Sequence, residues 1–196
     1  MTGRHIGEYR EPGVYPVENA LGQADDWEVV PATLGPTWDR NPEWEGPRDP
    51  EGYILPELTL GWQAIHWIEN NLLADELDEQ ERPLPFKLTS EQMRFVLWFY
   101  AIDENGRFLY REVVLQRLKG WGKDPLAAAI AAVEFVGPCR FRGWVTCETD
   151  ADQAWAASHG LEDGDPYAVG HPRAWIQVAA VSLEQTQNTM ALFRGL

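Results

Sequence analysis

From Leu58 onward the hydrophobic positions fall at helical spacing. Leu58, Trp62, Ile65, Ile68 and Leu72 step by four, three, three and four, which places them on one stripe of an amphipathic helix. The acidic, proline-broken stretch from Asp75 to Pro85 ends that helix. A second helix begins at LTSEQ, where Thr89 is the N-cap and Gln92, three residues on, completes a capping box. Met93, Val96, Leu97 and Tyr100 supply its buried face. Asn105-Gly106 is a turn signal, and FLYREVVLQ, residues 108–116, has the composition of a strand. It runs into RLKGWGKDP, then an Ala-rich helix, LAAAIAAVEFVG, that Gly137-Pro138 stops. Residues 139–173 read as irregular, with a short helix at DADQAWAASHG. AWIQVAAVS (174–182) then forms a second strand and LEQTQNTMALF a last helix.

Strand, glycine-rich turn, helix, long connection, strand, helix is the rhythm of an α/β protein with a parallel sheet and flanking helices. Two core strands make a thin sheet. Residues 1–57 have a different texture, with eight of the fourteen prolines and twelve acidic against four basic side chains. No helix or long strand survives that proline frequency. Because Trp27, Trp38 and Trp44 are interspersed, the segment reads as an extended acidic arm lying on a surface, with a solvated leader as the competing reading.

Hydrophobic residues make up 44% of the 196 and aromatics 12%, enough for a core and too much for a disordered chain. No apolar run approaches the ~20 residues of a membrane span, and MTGRHIGEYREPG lacks a signal-peptide core, so a soluble protein of the cytoplasm is expected. A net charge of −15 argues against a protein that coats nucleic acid. Cys139 and Cys147 are too few for a disulfide framework, and with His159 and His171 their spacing fits no compact zinc knuckle.

The sharpest chemical feature is Arg117-Leu-Lys-Gly-Trp-Gly-Lys-Asp124. A phosphate-binding loop needs glycines where backbone N–H groups curl around phosphate oxygens, a lysine to reach the terminal phosphates, and a helix N-terminus facing the anion. Gly120, Gly122 and Lys123 supply these between a strand and a helix. The strongly basic stretch of this acidic chain lies here too, with Arg107, Arg111, Arg117, Lys119 and Lys123. Against the pattern GxxxxGK followed by Ser or Thr, Arg117 replaces the first glycine and Asp124 the hydroxyl that would bind Mg²⁺. A tight strand-to-helix turn, with Asp124 favoured by the helix dipole, is the purely structural alternative.

PFKLTSEQMRFVLWFYAID, GRFLYREVVLQRLKGWGKDPLAA and PRAWIQVAAVSLEQTQNT together resemble the N-terminal, ATPase part of the large terminase subunit of tailed bacteriophages, notably those of actinobacteria. The resemblance runs from about Leu58 to the end. It implies a partial P-loop NTPase in residues 58–196, preceded by the arm, within an ATP-driven motor that packages DNA. It also implies ATP and Mg²⁺ as cofactors and an arginine in place of the first loop glycine. Lys123 would hold the β- and γ-phosphates and Arg117 would stabilise γ-phosphate charge, both as catalytic groups. Lys119, Gly120, Trp121, Gly122 and Asp124 would complete the nucleotide site, with Asp124 toward Mg²⁺. Gln92 would read adenine, unless the capping box claims its side chain. Gln185 would match a SxxQ or TxxQ element. The implied partners are phage DNA, the portal protein, the small terminase subunit and the remainder of the large subunit, in a homo-oligomeric ring in the host cytoplasm.

Hydrolysis in such a fold needs a later strand ending in an acidic pair. Only fifteen residues follow Val181 and none forms such a strand, while FVLWFYAIDE precedes the loop and has helical spacing. The nuclease domain is absent as well. The chain is therefore expected to be a piece of a longer protein that binds ATP without turnover, with poor solubility, self-association or dependence on the remainder supplied in trans. The competing function is a non-catalytic acidic interaction protein that binds a basic partner or mimics DNA.

Overall fold

A computed structural model describes residues 40, 43–179 and 187, together with the backbone of residues 17–18 and 24–25. The chain divides into two compact units, Met1–Glu57 and Leu58–Leu196.

In the first unit β1 (Val17–Glu18) pairs antiparallel with β2 (Ala24–Asp25). Residues 43–57 form a loop stapled by its own charged side chains. The Asp49 carboxylate accepts from the N–H groups of Glu51 (2.9 Å) and Tyr53 (2.8 Å), and Arg48 donates to the carbonyls of Trp44 (3.0 Å) and Gly52 (2.9 Å). Prolines remove the helix option, and Asp and Arg side chains then satisfy the backbone that a helix would have satisfied.

The second unit is built on three helices. α1 (Gly61–Asn71) packs on α2 (Ser90–Phe99) and α3 (Lys123–Val136). Gly61 permits the first contact, since a Cβ there would lie 2.7 Å from the Leu97 Cα and 3.0 Å from the Val96 carbonyl oxygen. The buried face of α1 is Gly61, Ala64, Ile65 and Ile68, continued by Leu72. Trp62, which the spacing placed on that stripe, is 47% exposed because the helix starts at Gly61 and turns its glycine toward α2. α2 is buried almost all round through Phe95, Val96, Leu97 and Trp98. Its capping box forms with Thr89 and Gln92 as its two members.

The acidic stretch between α1 and α2 is an antiparallel hairpin, β3 (Leu73–Leu77) and β4 (Pro83–Pro85). Residues 139–169, expected to be mostly irregular, carry β5 (Arg140–Trp144) paired antiparallel with β6 (Pro166–Val169), around α4 (Asp150–Ser158). Gln63 of α1 fixes this pair. Its amide donates to the Ala168 carbonyl (3.2 Å) and accepts from the Ala168 N–H (2.7 Å), so a buried glutamine stands in for a neighbouring strand.

Among the described residues every sheet is a two-stranded antiparallel pair and none is parallel. The expected strand 108–116 contributes only a bridge between Phe108 and Ile102. Residues 110–117 make no backbone-to-backbone hydrogen bond with a described residue. Residues 174–179 of the second expected strand are likewise outside any ladder, and 180–182 lie outside the described residues. Strand composition cannot produce a strand without a neighbour to bond. Burial nevertheless alternates: Ala174, Ile176 and Val178 are half-buried, whereas Trp175, Gln177 and Ala179 are exposed. That is the period of a strand. Of the expected last helix, including Gln185, only Gln187 is described. No helix among the described residues is long and apolar enough to cross a membrane.

Two checks follow from local geometry. Thr89→Ala removes the cap of α2 and is expected to cost about 1 kcal/mol in a denaturant melt. Asp103 accepts from the N–H groups of Asn105 (2.8 Å) and Arg107 (2.9 Å). The bond from the Arg107 backbone, ahead of the others, holds its carboxyl below the usual range. A depressed folded pKa stabilises above the unfolded value of about 3.9 and loses that contribution as pH falls through the folded value. Asp103→Ala is thus expected to melt below the parent chain at pH 7, with the gap closing as pH is lowered beneath 4.

Candidate nucleotide site

The 117–124 loop joins residues 110–116 to α3, and its shape follows from its glycines. Gly120 and Gly122 have φ of +88° and +90°, a conformation that side chains disfavour. Gly122 is also the N-cap of α3, where no side chain caps the helix. Pro125 removes a further N–H from the first turn, and the positive end of the helix dipole lies at this terminus.

Lys123, the first residue of α3, turns back over the loop. Its ammonium donates to the carbonyls of Arg117 (2.7 Å) and Leu118 (2.9 Å), and the Trp121 N–H donates to the Leu118 oxygen as well (3.4 Å). The lysine thus holds together the segment that a phosphate would otherwise organise. Lys119 and Asp124 are exposed, and neither side chain makes a hydrogen bond to a described residue.

Arg117 is directed at α2. Its Nε (3.1 Å) and Nη2 (2.7 Å) donate to Glu91 Oε1, and Nη1 donates to the Gln116 carbonyl (3.0 Å). The indole N–H of Trp121 donates to the other oxygen of Glu91 at 2.6 Å. Gln92 completes the contact with both ends of its amide: Oε1 accepts from the Thr89 N–H (3.0 Å), and Nε2 donates to the Trp121 carbonyl (3.4 Å). The capping box and the loop contact therefore coexist on one buried side chain.

The structure brings Gln92, Arg117, Trp121, Gly122 and Lys123 together and leaves Lys119 and Asp124 on the rim. Pattern reading missed Glu91, because nothing local links it to Arg117 twenty-six positions away. Its only local signal is an acidic residue in a first helical turn, which the dipole explains by itself.

A cavity of about 500 Å³ lies apart from the loop, between Phe95 and Phe99 of α2, Leu126 and Ile130 of α3, and Val113 and Ile176. Among the described residues no group of three or more His, Cys, Asp and Glu side chains could hold a metal ion. A nucleotide-borne Mg²⁺ takes most of its ligands from phosphate and water, so a single carboxylate suits it. Asp124 has that donor chemistry beside Lys123. Burial first, then Glu134, raises the Cys139 thiol, and Cys147 is raised as well, by desolvation and then Asp163.

The chain is similar to the Gene 13 protein of Mycobacterium phage L5, 40% identical over 181 residues, with 83% of this chain and 26% of that protein covered. It is also similar to the Gene 13 protein of Mycobacterium phage D29, 37% identical over 181 residues, with 83% of this chain and 27% of that protein covered. The chain thus spans about a quarter of the length of the curated relatives it matches. No family model matches, and no solved structure matches. In kind, this is a bacteriophage-type viral protein.

The two glycines differ in a testable way. A Cβ at Gly120 meets nothing within 4 Å, whereas one at Gly122 meets Gln92 Nε2 at 2.9 Å. Both alanine variants carry roughly 1–2 kcal/mol of left-handed strain. Gly122→Ala additionally displaces the Gln92 amide, so thermal melts are expected to rank parent above Gly120→Ala above Gly122→Ala.

Proposed function

We propose that this chain is the nucleotide-binding N-terminal portion of a DNA-packaging ATPase of the large-terminase kind, with the polyphosphate of ATP held by the 117–124 loop. The observation that carries the reading is the loop itself. Two left-handed glycines and a lysine sit at an uncapped helix N-terminus, and the lysine ammonium already lies over the carbonyls of the turn. Lys123 and the first N–H groups of α3 would hold the β- and γ-phosphates, and Asp124 would stand nearest the bound Mg²⁺. The metal, when present, supplies neutralising charge to the phosphates.

Two further features support the reading. Val113 and Leu115, with Ala174, Trp175 and Ile176, line one cavity outside any ladder among the described residues, and burial in 174–179 alternates with the period of a strand, as in a segment awaiting neighbouring strands. The relatives are bacteriophage proteins nearly four times the matched length, which leaves room for an acidic-pair strand and a nuclease domain. In this reading the partners are phage DNA, the portal protein, the small terminase subunit and the rest of the polypeptide in a homo-oligomeric ring, within the host cytoplasm.

The β3–β4 hairpin favours a second reading, an acidic interaction module, since Glu76, Glu79 and Glu81 are exposed on it with Leu77. Such a module binds in a salt-sensitive way that is indifferent to Lys123.

Calorimetry with Mg·ATP and Mg·ADP separates the two. The proposal expects binding by the parent chain, loss of at least tenfold in affinity for Lys123→Ala, and no phosphate release from either. Absence of binding by a parent chain that melts cooperatively would overturn it.

A further inference from the structure

We infer that Glu91 is the positioning residue of the 117–124 loop, the side chain that sets its curvature so that the α3 N-terminus and Lys123 face one polyphosphate. The ligand in this statement rests on the nucleotide reading above; the ordering of the loop by Glu91 does not. Trp121 stands between Gly120 and Gly122, the residue type with the most backbone freedom to lose. Lys123 closes the turn at the Arg117 and Leu118 carbonyls, but the glycine hinge on each side of Trp121 leaves the position of that side chain to contacts from outside the loop.

Glu91 supplies such contacts. Its two carboxylate oxygens span the loop, Oε1 on Arg117 (2.7 and 3.1 Å) and Oε2 on the Trp121 indole (2.6 Å). The guanidinium carbon lies 5.5 Å from the Trp121 ring centroid, so the three side chains close a ring of contacts. The Arg117 side chain is only 11% exposed, which strengthens a charge-assisted pair relative to one on the surface. Glu91 itself is fixed, since it lies in the first turn of α2, where the dipole favours a carboxylate and Thr89 and Gln92 cap the helix on either side. Gln92 adds the bond to the Trp121 carbonyl. With Nε and Nη2 on Glu91 and Nη1 on Gln116, Arg117 acts as the tether that Glu91 grips, and the phosphate contacts fall to Lys123 and the backbone.

The test uses the full chain with Glu91→Ala and Glu91→Gln, the second isosteric and able to accept a hydrogen bond but uncharged. Amide hydrogen exchange of residues 118–123 is compared with that of the α1 and α3 interiors, and Mg·ATP and inorganic tripolyphosphate are titrated by calorimetry. The inference expects exchange in 118–123 to rise at least tenfold in Glu91→Ala, with the helix interiors unchanged. It also expects both anions to bind at least tenfold more weakly, and Glu91→Gln to fall between. Unchanged exchange in 118–123 overturns it, and so does faster exchange with undiminished anion binding. If Glu91→Ala loosens the helices too, Glu91→Gln alone decides by the same two readouts. If the parent chain binds neither anion, the nucleotide reading fails, and the exchange result by itself decides whether Glu91 orders the loop.

Discussion

The first turn of α2 holds two structures at once with neighbouring residues. Thr89 and Gln92 close the capping box that satisfies the helix's own N–H groups, and Glu91 and Gln92 reach out to Arg117 and Trp121. The preceding helix, α1, rests on the same element through Gly61, which lies against Leu97 and Val96. Thr59 reinforces that approach, donating to the Leu97 carbonyl at 2.6 Å and accepting from the Gly61 N–H at 2.9 Å. If α2 frays at its N-terminus, the loop loses its seat. If it shifts along its axis, the backbone approach to α1 is lost. The geometry of the candidate site is thus set by helix packing some distance from any phosphate.

Local signals in the sequence were legible and nonlocal ones were not. The capping box at Thr89 and the stop at Gly137 depend on residues within a few positions, so the pattern finds them. Trp62 was misplaced because spacing shows that a stripe exists but not which way it turns, and a glycine at the contact moved the stripe toward Gly61. The 108–116 segment has strand composition, yet a strand is a property of a pair, and past the Phe108–Ile102 bridge and the Leu109 N–H bond to Ala101 no described neighbour bonds its backbone. The antiparallel β5–β6 pair went unread for the opposite reason. Its sequence, RFRGW against PYAV, is an unremarkable alternation completed by a glutamine 105 positions from Ala168.

Charge distribution explains why such a chain concentrates its basic groups where it does. With a net charge of −15, any anion approaching from bulk meets a repulsive field. A site for a polyphosphate therefore needs local cations together with backbone dipoles that acidic neighbours cannot cancel. Arg117 is already neutralised by Glu91, so its charge contributes little to that field at the loop. Lys123, the exposed Lys119 and the N-terminal dipole of α3 remain to do so.

Lys123 also has a prior engagement that bears on how tightly the loop can bind. Its two bonds to the Arg117 and Leu118 carbonyls must be surrendered, or shared, when its ammonium turns to a phosphate oxygen. Binding then exchanges neutral carbonyl acceptors for charged ones, and only the difference appears as affinity. The carbonyls released must find water, which their place on an open loop permits. The same bonds hold the loop shut before any ligand arrives, so the ordering entropy has already been lost on folding. Removing the lysine therefore abolishes a phosphate ligand and an internal strut together, whereas removing Glu91 abolishes only the strut. That asymmetry separates the chemistry of the loop from its architecture.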